Sequence, residues 1–210
     1  MARCRLWWAP QSMSGLARLD AAEREHAATL RLPAVRAAYV TSRALQRQVV
    51  DELLPGAPIR RHCVHCGSTE HGRPYVAGAA FDFSVSRAGT WVALAAVSAG
   101  QVGLDIEVVP SAAVADELAP AVAGSAAAAD LTTAEFARLW SRTEAATKVT
   151  GVGLSVTLSS LDVSGPQLRV GPDGPDLPRI ELRDLDAPGR LVAALASTVA
   201  IDRIVLERGY

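Results

Sequence analysis

The sequence predicts an α+β fold. Two helical runs open on capping signals, and short strand-like segments sit between and after them without the regular alternation of a doubly wound sheet. About half of the 210 residues are apolar, and 21 Lys+Arg stand against 22 Asp+Glu, a globular and nearly neutral composition. At this length one compact unit or two small subdomains can bury a core. The balanced charge argues against a protein whose main task is gripping a nucleic-acid backbone.

Near the N-terminus, Arg3 and Arg5 precede an apolar patch that ends at Pro10, too short for a secretory segment. Asp20 and Glu23 have capping-box spacing and open a helix running to about residue 32, where Pro33 interrupts it. A second helix is expected over residues 34–54, with Val35, Ala38, Leu45, Val49 and Leu53 at helical spacing. On it Arg36, Arg43 and Arg47 share another face, either solvated or turned toward an anion. Residues 55–80, dense in Gly, Pro and His, read as loop.

Strands are expected at 81–85, 91–97 and 102–109. The alanine-rich stretch 111–129 reads as a helix broken at Pro120 and Gly124. Thr132 and Glu135 form a second capping box, opening a helix that Gly151 should close. Beyond it, 154–163, 168–170, 180–182 and 191–196 read as strands between Gly/Pro/Asp turns. The longest apolar stretch, 191–201, falls short of the roughly 18 to 20 residues of a membrane span, so no membrane partner is expected. Cys4, Cys63 and Cys66 make no disulfide framework, which points to the reducing cytoplasm.

Three groups of residues carry chemistry. In residues 102–108 (Val-Gly-Leu-Asp-Ile-Glu-Val), strand alternation sets Gly103, Asp105 and Glu107 on one face, with the carboxylates roughly 7 Å apart. Gly103 leaves room for a ligand to approach the backbone. The pair is either a site for a hard cation such as Mg²⁺ or a solvent-facing strand edge. Trp140, Glu144 and Lys148 stack along one helical face. Glu144 and Lys148 at this spacing commonly form an ordinary surface ion pair, but Lys148 is the only lysine among 21 basic residues. A site that keeps lysine can use a compact ammonium able to release a proton. Cys63-Val-His-Cys66, with His62, His65 and His71 nearby, has one zinc-type pair and no second, so a loop with free thiols is the favoured reading over zinc.

In order along the chain, these segments resemble the Sfp-like 4′-phosphopantetheinyl transferases. The matching pieces are Gly72-Arg-Pro74, Phe81-Asp-Phe-Ser-Val-Ser86 followed by Trp91-Val-Ala-Leu, residues 102–107, and Trp140-Ser-Arg-Thr-Glu-Ala-Ala-Thr-Lys148 running into Gly151-Val-Gly-Leu154. The resemblance spans about residues 19–154, and its two last motifs at this separation are its most specific part. It implies two similar α+β subdomains, 1–100 and 101–210, related by a pseudo-twofold with the active site in the cleft between them. No repeat is visible in the sequence itself.

The family's reaction moves the phosphopantetheine arm of coenzyme A to a serine of an apo acyl or peptidyl carrier protein in fatty-acid, polyketide or nonribosomal-peptide synthesis, releasing 3′,5′-ADP. The resemblance implies Asp105, Glu107 and Glu144 as Mg²⁺ ligands, and Asp105, Glu144 and Lys148 as the catalytic set. Arg36, Arg73, Ser84, Ser86 and Lys148 would hold coenzyme A, with Arg43 the substitute for Arg36. The carrier would dock beside the Glu144 helix, and duplicated halves in one chain imply a monomer. Three residues depart from the family pattern: Val85 for His, Asp82 for Asn and Thr143 for Lys, with Arg87 beside Val85 as a compensating cation. The alternatives are a Mg²⁺-dependent phosphohydrolase and an inert module that binds coenzyme A or the carrier.

Overall fold

The structure is a computed structural model that describes residues 2–128, 130–172 and 174–209. Its elements confirm the mixed α+β class. The N-terminal part holds β1 (Ala2–Pro10), α1 (Ala21–Thr29), α2 (Pro33–Leu53), β2 (Arg60–His62), β3 (Arg73–Tyr75), β4 (Asp82–Ala88) and β5 (Trp91–Val97). There follow β6 (Val102–Val108), α3 (Ala112–Ala128) and α4 (Thr133–Thr150). The remainder is strand: β7 (Leu161–Asp162), β8 (Arg169–Val170), β9 (Glu181–Leu185), β10 (Leu191–Ser197) and β11 (Ile201–Arg208).

Two sheets organise the molecule, one in the order β11-β1-β5-β4 and one in the order β6-β10-β9. Their facing sides share one apolar layer, built by Leu6, Ala93 and Ala95 from the first and Leu104, Ile106 and Leu195 from the second. A helix covers each outer side. α2 lays Leu45, Val49 and Val50 on Trp7, Phe83, Val92 and Leu94, while α4 lays Ala145, Ala146 and Val149 on Leu182, Ala194 and Ala196. Burying such faces against each other is what holds elements this short in place.

Where edge strands β4 and β6 meet, side chains of one strand bond the other. The Val102 N–H donates to Asp82 Oδ2 at 2.7 Å and the Leu104 N–H to Ser84 Oγ at 3.0 Å. Asp82 and Ser84 of β4 therefore each satisfy a backbone donor of β6 that a paired strand would otherwise take.

Both capping boxes form as the sequence predicts, at Asp20–Glu23 and at Thr132–Glu135, and Gly151 caps α4. Elsewhere the structure departs from the sequence reading. α3 runs through Pro120 and Gly124 without a break; Pro120 is exposed, so water can serve the carbonyl its missing N–H leaves free. Ala129, the predicted end of that helix, lies outside the described residues. The expected strand at 154–163 is two 3-10 turns, Gly153–Ser155 and Leu158–Ser160, before β7. There the Ser155 and Ser160 hydroxyls donate to the carbonyls of Val152 and Thr157, local bonds that compete with a strand ladder. Within the expected loop 55–80, β2 and β3 pair as a hairpin.

Candidate active site

The site is built on a contact that the sequence reading had left for a ligand. Gly103 faces α4 so closely that a Cβ there would lie 1.9 Å from the Ala145 carbonyl oxygen. The room that the missing side chain leaves is filled by the helix, which corrects the expectation of an open approach to the backbone. The close approach brings Glu144 and Lys148 down beside Asp105, and the Ser141 hydroxyl fixes it by donating to the Asp105 carbonyl at 3.1 Å.

Lys148 Nζ lies 2.6 Å from Asp105 Oδ1 and 3.9 Å from Glu144 Oε2. The Ser86 hydroxyl also donates to Asp105 Oδ1 at 2.8 Å and is itself 3.2 Å from Lys148 Nζ. The second oxygen, Asp105 Oδ2, is buried with no hydrogen-bond partner. A buried acceptor without a donor is costly, and a cation relieves that cost. Asp105, Glu107, Glu144 and Lys148 line one cavity of about 290 Å³, together with Ser42, Ser86 and Arg87.

Burial lifts all three carboxyls above their ordinary range. At Asp105 it outweighs the Lys148 ammonium and the hydroxyl donors. At Glu144 it outweighs Lys148, with the Asp105 charge adding to the rise. Glu107 is pushed up to about 7, by burial first and then by the neighbouring charges of Asp105 and Glu144, against Lys148 and a hydrogen bond from Trp140. Crowded, desolvated carboxylates of this kind mark sites that await positive charge.

A stability prediction follows from Glu107. Between its ordinary 4.5 and about 7 the folded chain keeps a proton that the unfolded chain has lost. Stability contributed by that proton is complete below the lower value and is lost as pH rises through the upper. With divalent ions chelated, Glu107→Gln is therefore expected to stabilise the fold above pH 7 by about 1 kcal/mol, the partly exposed group being screened by water. Below pH 4.5 it should bring no gain. Urea unfolding across this range measures it, and a variant whose pH dependence matches the parent's would contradict the assignment.

Mg²⁺ is the ion that the resemblance implies, and the donor set fits it: three carboxylates suit a hard divalent cation, and Asp105 Oδ2 is an acceptor without a donor. Among the described residues, the group of three potential ligand atoms that lies within 4.8 Å is Cys63, Cys66 and His71, not the acidic set. Lys148 pairs with the other oxygen of that carboxylate, Asp105 Oδ1.

A second cavity of about 300 Å³ adjoins the first and shares Ser42, Val85, Arg87 and Lys148 with it. Its walls carry Arg43, Arg61, Arg73 and Arg87. Arg73 also donates to Asp82, to the Val102 carbonyl and, at 2.9 Å, to the Lys148 carbonyl, so it ties the hairpin to β6 and α4 while facing the cavity. Ser84 lines the second cavity and Ser86 the first.

Arg36 stands away from both. Its guanidinium donates to the Leu30 carbonyl at the end of α1, and Arg47 on the same helix face is taken by Asp20 and Glu23. Of that arginine face only Arg43 reaches the cavities.

Sequence reading missed Ser42 and Gln46 of α2, Arg61 of β2 and Ser141 as parts of this region. Ser141 sits inside the Trp140–Lys148 motif and was legible as a polar residue on a buried helix turn. Arg61 carried no signal without the hairpin. No protein-family model matches the chain, and no curated protein matches it either. Among the described residues, no helix is long and apolar enough to cross a membrane.

Proposed function

We propose that this chain transfers the 4′-phosphopantetheine arm of coenzyme A to a serine of an apo acyl or peptidyl carrier protein, releasing 3′,5′-ADP. The observation that carries this reading is the adjoining pair of cavities, one acidic with a single ammonium and one lined by four arginines, meeting at Lys148. A substrate with a pyrophosphate and a further phosphate suits such a pair: the arginines would take the further phosphate, and the acidic pocket would hold the Mg²⁺ that serves the pyrophosphate.

The proposed two-subdomain arrangement draws support from topology. The run β1–α2–β4–β5 forms a sheet in the order β1-β5-β4, and β6–α4–β9–β10 forms one in the order β6-β10-β9. Each has its first and last strands paired, its second strand outside, and a long helix after the first. A boundary near residue 100 divides them, although β11 returns to pair in parallel with β1. The pair of cavities borders the β4–β6 seam, where a cleft between such halves would open.

In this reading the carrier serine oxygen bonds to the β-phosphorus, and the bond from that phosphorus to the oxygen bridging the α-phosphate breaks. The electron pair leaves with 3′,5′-ADP. Glu144 is placed to take the serine proton directly or through water, a role that competes with its holding the metal. Lys148 meets the charge growing on the leaving phosphate, exchanging its bond to Asp105 Oδ1 for one to the substrate. Ser86 holds Asp105 in its rotamer. Asp105, Glu107 and Glu144 would hold Mg²⁺, which when bound supplies charge neutralisation and in-line orientation of the pyrophosphate. Arg43, Arg61 and Arg87 bind the nucleotide end.

Lys148→Arg is expected to lower the transfer rate by about 10-fold or more at saturating coenzyme A, although the charge is kept, since a planar, permanently charged guanidinium replaces a compact ammonium that can release a proton. Steady-state kinetics measures this, and an unchanged turnover number would exclude a size-sensitive role for the ammonium. The reading as a whole is tested by whether an apo carrier gains the arm.

A further inference from the structure

The hairpin β2–β3 is tipped by a loop, residues 63–72, that carries Cys63, Cys66 and His71. Their ligand atoms, two sulfurs and a ring nitrogen, lie within 4.8 Å of one another, and Cys66 Sγ is 3.4 Å from His71 Nε2. Backbone bonds build this convergence. The Cys63 N–H donates to the Ser68 carbonyl at 2.9 Å, and the Gly67 N–H donates back to the Cys63 carbonyl at 2.8 Å, which winds the Cys-x-x-Cys segment into a tight turn. Gly72, at φ +97°, then returns the chain so close to the His62 carbonyl that a Cβ would meet it at 2.3 Å. Only glycine allows that return, and it sets His71 beside the two cysteines.

We propose that Cys63, Cys66 and His71 form a zinc site. Two thiolates and an imidazole are a donor set suited to Zn²⁺ and unlike the all-oxygen set of the acidic cavity, and a water completes the tetrahedron. The separation of the two cysteines is that of a zinc turn, and here the third ligand comes from the same loop, so no second cysteine pair is needed. The ion fastens the hairpin across its tip. That hairpin carries Arg61, which donates to Gln46 Oε1 at 3.0 Å, and Arg73, which reaches the Lys148 carbonyl. Zinc therefore steadies two of the arginines lining the second cavity without entering it. This site stands whether or not the transferase reading does.

The test uses the full chain, reduced, stripped of metal and titrated with Co²⁺ as a spectroscopic probe. The expected result, with Mg²⁺ in excess to occupy the acidic cavity, is a thiolate-to-cobalt charge-transfer band with tetrahedral visible bands that saturates at one equivalent per chain and that Zn²⁺ abolishes by displacement. Cys63→Ser and Cys66→Ser should each lose the band, while His71→Cys should keep one equivalent with a stronger band. Zn²⁺ should raise the melting temperature of the parent and not that of Cys63→Ser. The proposal is overturned if the parent, with its thiols shown to be reduced, develops no thiolate-to-cobalt band. It is equally overturned if Cys63→Ser keeps the band, or if the two cysteines are joined as a disulfide in protein isolated under reducing conditions.

Discussion

Asp105→Ala is expected, on the proposed function, to reduce phosphopantetheine transfer by at least about 100-fold and to remove its response to Mg²⁺, because the proposed metal site would lose one of its three ligands and several kcal/mol of charge stabilisation. The same change should cost the fold only about 1 to 2 kcal/mol. Removing one partner of a buried ion pair is severe when the other charge is left buried and unpaired. Here Lys148 is 30% exposed and keeps Glu144 at 3.9 Å, so its charge is served by water and by a second carboxylate. The buried, unpartnered Asp105 Oδ2 disappears as well, which offsets part of the loss. Urea unfolding and an initial-rate assay across Mg²⁺ concentrations measure the two effects. Near-normal turnover in a folded variant would remove the metal assignment, and so would an unchanged Mg²⁺ dependence.

Gly103→Ala is expected to be strongly destabilising for a change of one methyl group. A Cβ 1.9 Å from the Ala145 carbonyl oxygen has no flexible neighbour to push aside, so α4 as a whole must lift from β6. Overpacking costs about 1 to 3 kcal/mol where side chains can adjust, and a backbone collision belongs at or above the upper end. The displacement carries Glu144 and Lys148 away from Asp105, so transfer should fall with stability. Ala145→Gly removes a methyl from the same crossing without relieving the carbonyl contact, and is therefore expected not to rescue the variant. Parent-like stability in Gly103→Ala would show that helix and strand do not approach as described.

Local signals were legible and distant ones were not. The capping boxes at Asp20–Glu23 and Thr132–Glu135 were readable because the bonds they make close within four residues. The strand over 102–108 and the shared face of Asp105 and Glu107 followed from alternation. β1 and β11 escaped because their partners lie at opposite ends of the chain, Cys4 opposite Ile204, and because the alternation of β1 breaks at the adjacent buried residues Leu6 and Trp7.

At the site, helical spacing put Glu144 and Lys148 on one side of α4. Only the close packing at Gly103 shows how they meet Asp105. The resemblance assigned Ser86 to a phosphate, and the structure shows in addition that its hydroxyl is bonded to Asp105. It also offered Arg36 and Arg43 as equivalents; the end of α1 takes the first and leaves the second at the cavity. Those distinctions depend on tertiary contacts that a spacing rule does not contain.

The central claim is that the acidic pocket and the arginine-lined pocket together move a phosphopantetheine arm onto a protein serine. Incubation of the full chain with coenzyme A, Mg²⁺ and an apo carrier protein, followed by intact mass measurement of the carrier, tests it most directly. The account predicts that the carrier gains the mass of one arm, that 3′,5′-ADP appears in equal amount, and that replacing the acceptor serine by alanine prevents both. Release of 3′,5′-ADP without any carrier would instead make the protein a hydrolase, and coenzyme A bound with the carrier unchanged across a panel of carriers would make it a binding module; either result contradicts the account.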